Sequence, residues 1–120
     1  MATRDKVLEM MERIAEQANG LTAAVPIALG SEELTLSHAE QLLSFCVRYL
    51  AGVDRLYDAI LEAVDEESID EDIQDEACGV ADHCHGFGLA LQNDVFDKVR
   101  QLGGDANRIL ADLQQRFSSE

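Results

Sequence analysis

The fold is decided by residues 37–64, which read SHAEQLLSFCVRYLAGVDRLYDAILEAV. Ser37 and Glu40 have the spacing of a capping box, in which two side chains satisfy free backbone N–H groups at a helix N-terminus. The apolar residues that follow recur in alternating steps of four and three, which predicts one long amphipathic helix over residues 38–66. They are Ala39, Leu43, Cys46, Leu50, Val53, Tyr57, Ile60 and Val64.

A second apolar set widens the buried surface expected for this helix. Because the two sets cover more of the helix than one partner can bury, the helix is expected to contact at least two neighbours. It is therefore predicted to be central to a bundle. The second set is Leu42, Phe45, Tyr49, Leu56 and Ala63.

The residues before this segment predict a first helix and a connector. Thr3 can cap a helix over residues 4–19, and Gly20 is placed to end it. Residues 21–36 contain Pro26 and Gly30, which interrupt helices, so this stretch is predicted to be an ordered connector with a short turn near residues 31–34.

The residues after it predict two more helices. Ser68 and Glu71 repeat the capping-box spacing before a third helix over residues 69–102, and Asp105 can cap a fourth over residues 105–117. The fold class is therefore expected to be all-α, an antiparallel four-helix bundle with three long helices and a shorter C-terminal one. We expect residues 1–120 to form a single helical domain.

Composition agrees with helices and places the chain in a reducing compartment. The chain is 47% apolar and has one proline and six aromatic residues, a balance that suits helices better than strands. No apolar run approaches the roughly 18 residues that a membrane span needs. Three cysteines without framework spacing favour reduced thiols, so a cytoplasmic location and no membrane contact are expected.

The negative charge is concentrated in the middle of the chain. The formal net charge is −15, yet no Lys or Arg lies between Arg55 and Lys98, an interval with thirteen acidic residues. Such a surface repels nucleic acid and attracts basic partners. Nine of these acids, which we call the acidic corner, are the candidate partner-binding residues: Glu62, Asp65, Glu66, Glu67, Asp70, Glu71, Asp72, Asp75 and Glu76.

The acidic corner does not have the pattern of a calcium loop. If Asp70 is taken as the first position of an EF-hand, Asp75 stands where the loop needs glycine and Ala81 stands where it needs the bidentate glutamate. Solvated helix ends and a docking surface for a basic protein remain as the two interpretations.

Residues 75–88, DEACGVADHCHGFG, hold two of the three cysteines and two of the three histidines. In a continuous helix His83 and His85 lie about 160° apart around the axis, so they cannot share a ligand. Cys78 and Cys84 are six positions apart, which fits neither a disulfide nor a zinc motif within one helix. Cys84, like Cys46, falls on an apolar stripe and is expected to be a buried, unpaired thiol.

Small residues form a further stripe on the third helix and give a groove candidate. Glycine within a helix costs roughly 0.5–1 kcal/mol relative to alanine, so several of them suggest a close approach. Three interpretations remain: another helix crosses closely here, the helix kinks near Gly86-Phe87-Gly88, or the stripe lines a groove for a partner side chain or small ligand. The groove candidate comprises Gly79, His83, Gly86 and Ala90.

An alternative function centres on Asp82, His83 and His85, as a histidine- or metal-using bundle. Histidine phosphotransfer domains are similar acidic helical bundles, but their pattern needs a lysine three residues after the histidine, where this chain has Gly86. Di-iron bundles use two Glu-x-x-His pairs, and this chain has only Asp82-x-x-His85.

The leading hypothesis is therefore a non-enzymatic binding or regulatory protein. The bundle would dock a basic protein partner through the acidic corner, as an inhibitor, a nucleic-acid mimic, a chaperone or an adaptor. We expect no catalytic residue, no metal ligand, no cofactor and no direct contact with nucleic acid. A homodimer is compatible with this class.

Overall fold

The computed structural model describes residues 3–118, and within that range the chain forms four α-helices and no strand. They are α1 (Thr3–Leu29), α2 (Leu36–Asp65), α3 (Glu71–Gln101) and α4 (Ala106–Ser118). The predicted all-α, antiparallel four-helix bundle with a short last helix is confirmed. No helix in residues 3–118 carries an apolar stretch long enough to cross a membrane.

The helices are arranged around one central pair. α2 and α3 share the most extensive contact, while α1 packs against both on one side and α4 packs against both on the other. Over the described residues no Cα atom of α1 lies within 8 Å of a Cα atom of α4. The prediction that the second and third helices are central is confirmed.

The buried side chains form two clusters along the bundle. The first, the three-helix core, is made by α1, α2 and α3 near the α2–α3 turn and includes Val7, Leu56 and Ala77. The second, the four-helix core, lies at the other end, where α4 contributes Phe117 and α3 contributes Val95. α4 therefore closes only one half of the molecule.

The predicted end of the first helix is wrong, because α1 continues through Gly20 and Pro26 to Leu29. Its apolar spacing also continues beyond Ala18, at Leu21, Val25 and Ala28. Val25 is fully buried in the four-helix core and Leu21 is partly buried. Burying a side chain such as valine stabilises by about 1.5–3 kcal/mol, enough to offset the roughly 1 kcal/mol that glycine costs in a helix.

Pro26 is tolerated in α1 because it faces solvent. A proline lacks the N–H that would bond the carbonyl four residues earlier, here that of Thr22. Thr22 is also exposed, so water can satisfy this carbonyl. A turn follows at residues 32–33, within the predicted short turn.

Both predicted capping boxes are wrong by two residues. The Thr35 hydroxyl, rather than that of Ser37, accepts a hydrogen bond from the His38 N–H at 3.1 Å and caps α2. The Asp70 carboxylate, rather than the Ser68 hydroxyl, accepts from the Ile73 N–H at 2.9 Å and caps α3.

The displacement of the α3 cap has a physical reason in the preceding turn. The Ser68 N–H bonds the Ala63 carbonyl at 3.0 Å, and its hydroxyl donates to the same carbonyl at 3.2 Å. Ser68 therefore completes the C-terminus of α2 and is not free to cap α3. Asp105 does stand where predicted, directly before α4, and accepts a hydrogen bond from the Arg108 N–H at 3.4 Å.

The α2–α3 turn has a left-handed residue that is not glycine. Glu67 has a φ of 54°, and its N–H bonds the Val64 carbonyl at 3.1 Å. Together with the bond from Ser68 to Ala63, this is a Schellman motif, which usually has glycine at that position. The end of α3 has the same motif with Gly103, whose φ is 91°.

The place of Phe45 in the second apolar set predicted that its side chain would be buried. In the structure Phe45 does not belong to the core. Its side chain is 55% exposed, whereas Leu42, Tyr49, Leu56 and Ala63 of the same set are buried. Phe45 lines an open cleft between α1 and α2, beside Gln17, Gly20 and Leu21 of α1.

Candidate functional site: an acidic face and an open groove between α2 and α3

The acidic corner lies at the α2–α3 turn, and all nine of its side chains are exposed. Two residues of α1 contact the acidic corner, although they lie far outside the sequence interval between Arg55 and Lys98. The Lys6 ammonium lies 3.9 Å from the Glu62 carboxylate, and the Thr3 hydroxyl donates a hydrogen bond to Glu66. Because α1 runs antiparallel to α2, its first turn reaches the last turn of α2.

One member of the acidic corner has a structural role. Asp70 caps α3, so its carboxylate is already engaged by the Ile73 N–H. The other acids of α3 are differently placed. Glu71 and Asp72 lie in the first turn of the helix, where their charges favour the helix dipole. Asp75 and Glu76 lie one turn further along and are exposed.

Tyr57 connects the two central helices beside the acidic corner. Its hydroxyl donates a hydrogen bond to the Asp82 carboxylate, and its ring meets the His85 ring edge-to-face with centroids 6.4 Å apart. The bond to Asp82, together with partial desolvation, raises the pKa of Tyr57 to about 12. Cys78 lies half-buried one turn before Asp82.

His83 lies on a different side of α3 from Asp82 and His85. With Gly79 and Glu76 it lines a groove of about 470 Å³ between α1 and α3. His85 lines a cavity on the opposite side of the helix, next to α4. The three residues of the alternative hypothesis, Asp82, His83 and His85, are therefore not brought together as one site.

The groove candidate is only partly assembled. Gly79 and His83 line the groove with α1, whereas Gly86 and Ala90 are exposed and lie outside its lining. A Cβ on Gly79 or Gly86 would meet nothing within 4 Å, so no helix crosses closely there. The close crossing is at Gly88, which is not one of the residues of the groove candidate.

Gly88 is buried against α2. A Cβ at this position would lie 2.7 Å from a ring carbon of Tyr49 and 2.7 Å from a methyl group of Leu50. The Tyr49 ring is held in place because its hydroxyl donates to the Cys84 carbonyl at 3.1 Å. Burial of Tyr49 and this bond raise its pKa above the ordinary value.

The remaining cysteines are buried and unpaired. Cys46 and Cys84 lie in the core, and neither forms a disulfide, so the prediction for these two thiols is confirmed. Burial raises the pKa of the Cys46 thiol to about 11. Among residues 3–118 no group of three or more His, Cys, Asp or Glu side chains could hold a metal ion.

Three arginines lie together away from the acidic corner. Arg13, Arg48 and Arg55 line a cleft on the α1–α2 face, where no carboxylate takes part in the lining. Arg13 pairs with Glu9 at 3.0 Å, and Arg55 donates to the Phe117 carbonyl at 3.3 Å. The acidic corner and this arginine-lined cleft thus carry opposite charge.

A cavity of about 520 Å³ opens where α4 ends, between α2 and α3. Asp54 and Asp58 line it from α2, and His85, Leu89 and Gln92 line it from α3. The cavity, the Tyr57–Asp82 contact and the acidic corner follow one another along the facing sides of α2 and α3. Neighbouring features are one or two helical turns apart.

The chain was also compared with known proteins. No family model, curated protein or solved structure matches it. The most distinctive surface features of the bundle are the exposed acidic residues and the open groove between α2 and α3.

Proposed function

We propose that this protein is a non-enzymatic binding protein that docks a basic protein partner through the acidic corner. The observation that carries the proposal is the exposure of all nine acidic side chains at one end of the bundle. Against these nine carboxylates α1 supplies one ion pair, from the Lys6 ammonium to Glu62 at 3.9 Å. The surface therefore keeps a strong negative potential that steers basic partners toward it.

This interaction should act mainly on the rate of association. Exposed charges at the edge of an interface raise the association rate through long-range attraction, and salt screens that attraction over about 10 Å at 0.1 M. Replacing acids in the corner by lysine should slow association, and the effect should shrink as salt is added.

The test uses a variant that spares the cap of α3. Asp70 is left unchanged, because reversing its charge would remove the hydrogen bond to Ile73. The corner variant is Glu67→Lys, Asp75→Lys and Glu76→Lys, three exposed side chains with no hydrogen bond or ion pair in the described chain. The matched control is Asp94→Lys, Asp97→Lys and Asp112→Lys, at the other end of the bundle.

Both variants change the formal charge equally, from −15 to −9, because three side chains go from −1 to +1. The three proteins are immobilised and exposed to cell lysate, and a basic protein retained by wild type and control is purified for stopped-flow measurement. We expect its association rate to fall about tenfold or more for the corner variant at low salt. Equal rates for the two variants would show that net charge alone matters and would refute the proposal.

A further inference from the structure

Within residues 3–118, α4 covers only part of the groove between α2 and α3. It has 13 residues, about 20 Å of helix, whereas α2 and α3 have 30 and 31 residues, about 45 Å each. α4 ends next to Val47 and Ala51, where the Arg55 guanidinium donates to the Phe117 carbonyl. Over the rest of the α2–α3 groove, as far as the α2–α3 turn, no described residue supplies a fourth helix.

The two helices keep one periodic stripe each along the whole groove. Under α4 the stripes carry Val47, Ala51 and Phe96, which pack in the four-helix core or against it. Past the end of α4 the same steps of three and four continue toward the turn with mostly acidic residues. On α2 they are Asp54, Asp58, Leu61 and Asp65, and on α3 they are Leu89, His85, Asp82, Cys78, Asp75 and Glu71.

Apolar side chains remain exposed within this acidic stretch. Leu61 is 64% exposed and Leu89 is 39% exposed, and they stand on the facing helices. A helix lying in the groove would cover both, as α4 covers Val47 and Ala51 in the other half. The open half thus has the apolar spots and the flanking charges of a surface that binds an amphipathic helix.

Gln92 adds a polar group to the cavity at the end of α4. Its side chain is only 7% exposed and lines this cavity. No buried side-chain N or O atom among residues 3–118 lacks a hydrogen-bond partner, so an amide atom of Gln92 without one is open to the cavity. A polar side chain that enters the cavity can therefore form a hydrogen bond with this amide.

The negative charge of the open half of the groove determines which kind of helix can bind there. The lining of the open half includes Asp54, Asp58 and Asp82, and its one arginine, Arg55, is already engaged by the Phe117 carbonyl. A second copy of this chain would bring its own formal charge of −15 to an acidic groove. A helix with Lys or Arg beside its apolar stripe has the complementary charge.

We infer that the open half of the α2–α3 groove receives one basic amphipathic helix of the partner protein, which lies in line with α4. The inference rests on the proposed function and adds the form of the partner's binding segment. The available length, from Arg55 to Asp65 on α2, is about 15 Å and matches about 10–11 residues of a bound helix. Its apolar residues at steps of three and four contact Leu61 and Leu89, and its cations face the aspartates.

The experiment compares two fluorescent peptides of 14 residues with identical composition. One places leucines at steps of three and four and lysines beside them, and the other has the same residues in an order without an apolar face. We expect the amphipathic peptide to bind at least tenfold more tightly by fluorescence anisotropy and to gain helical circular dichroism on binding. Equal affinity of the two peptides would overturn the helix inference while leaving electrostatic docking in place.

Two double variants locate the site. Leu61→Ser with Leu89→Ser should lower the affinity for the amphipathic peptide at least tenfold and leave the other peptide unaffected. Leu8→Ser with Ile27→Ser replaces exposed residues of α1, 38% and 77% exposed, and should change neither affinity. If both double variants weaken binding of the amphipathic peptide equally, the groove is not the site.

Light scattering tests whether a second copy of the chain occupies the groove instead. A dimer that dissociates in the Leu61→Ser, Leu89→Ser variant would show this and would also overturn the inference. Failure of both peptides to bind at low salt would count against the proposed function itself.

Discussion

The Tyr57 hydroxyl on α2 donates a hydrogen bond to the Asp82 carboxylate on α3, at the centre of the open half of the groove. This bond stabilises the neutral phenol, because a tyrosinate would lose it and would lie beside a second negative charge. The pKa of Tyr57 is accordingly raised to about 12.

Replacing Asp82 by alanine should lower the pKa of Tyr57 toward its ordinary value of about 10. The ultraviolet absorbance of tyrosinate, recorded as the pH rises, measures this shift. The second tyrosine, Tyr49, is held neutral to higher pH by its burial and its bond to Cys84, so the two steps are resolved. An unchanged titration in Asp82→Ala would contradict the assignment.

The same bond predicts how stability depends on pH. Since the folded pKa of Tyr57 is above the unfolded value, its contribution is fully present below pH ~10 and is lost as the pH rises through about 12. The free energy of unfolding of wild type should therefore fall more steeply across this window than that of Tyr57→Phe. Parallel curves for the two proteins would contradict the prediction.

Two glycines of α3, two residues apart, should respond oppositely to alanine. Gly88→Ala places a methyl group against the fixed Tyr49 ring and should reduce the free energy of unfolding by about 1–3 kcal/mol. Gly86→Ala faces open space and should increase it by about 0.5–1 kcal/mol, because alanine favours the helix. Urea denaturation measures both, and the opposite order would refute the close crossing at Gly88.

Glu67 should be improved by glycine. Its left-handed φ of 54° costs roughly 1–2 kcal/mol for an L-residue with a side chain. Glu67→Gly should therefore increase the free energy of unfolding by about 1 kcal/mol, after the flexibility that glycine adds to the unfolded chain. Glu67→Gln, which removes the charge and keeps the side chain, is the control. A gain in the control as large as in Glu67→Gly would attribute the effect to charge rather than to the backbone.

Thiol labelling should separate Cys78 from the other two cysteines. In the native protein a thiol reagent should modify Cys78 first, because Cys46 and Cys84 are buried and burial raises the pKa of Cys46 to about 11. In urea all three should react. Cys78→Ser should abolish the fast phase, and a fast phase that persists in this variant would mean that a core thiol is accessible.

Two of the helices, α2 and α3, could be predicted from their unbroken apolar spacing. The stripe of α2 and that of α3 placed Cys46 and Cys84 in the core correctly. The end of α1 was missed because Gly20 and Pro26 were given more weight than the spacing from Ala18 to Val25. Burial in a tertiary core outweighed both local signals.

The charge of the candidate site could be predicted from the sequence, but its shape could not. The acidic corner is visible in the sequence as an interval without Lys or Arg, yet Lys6 enters it from a helix more than fifty residues earlier. The open groove depends on where α4 ends relative to α2, a distance between helices that no local pattern encodes. Residues Asp54, Asp58, Leu61, Leu89 and Gln92 were missed for this reason, although their steps of three and four continue from the apolar residues under α4.

The division of the interior into a three-helix core and a four-helix core has a consequence for local unfolding. Amide hydrogen exchange reports the free energy of opening for each segment, and segments with fewer buried contacts open at lower cost. Among residues 3–118 no fourth helix covers the half of the bundle nearest the α2–α3 turn, so its amides should exchange before those around Leu43 and Val95. A ligand that binds only the folded form stabilises it in proportion to the logarithm of its concentration. Occupation of the groove would therefore slow exchange most in the half of the molecule that is least protected when free.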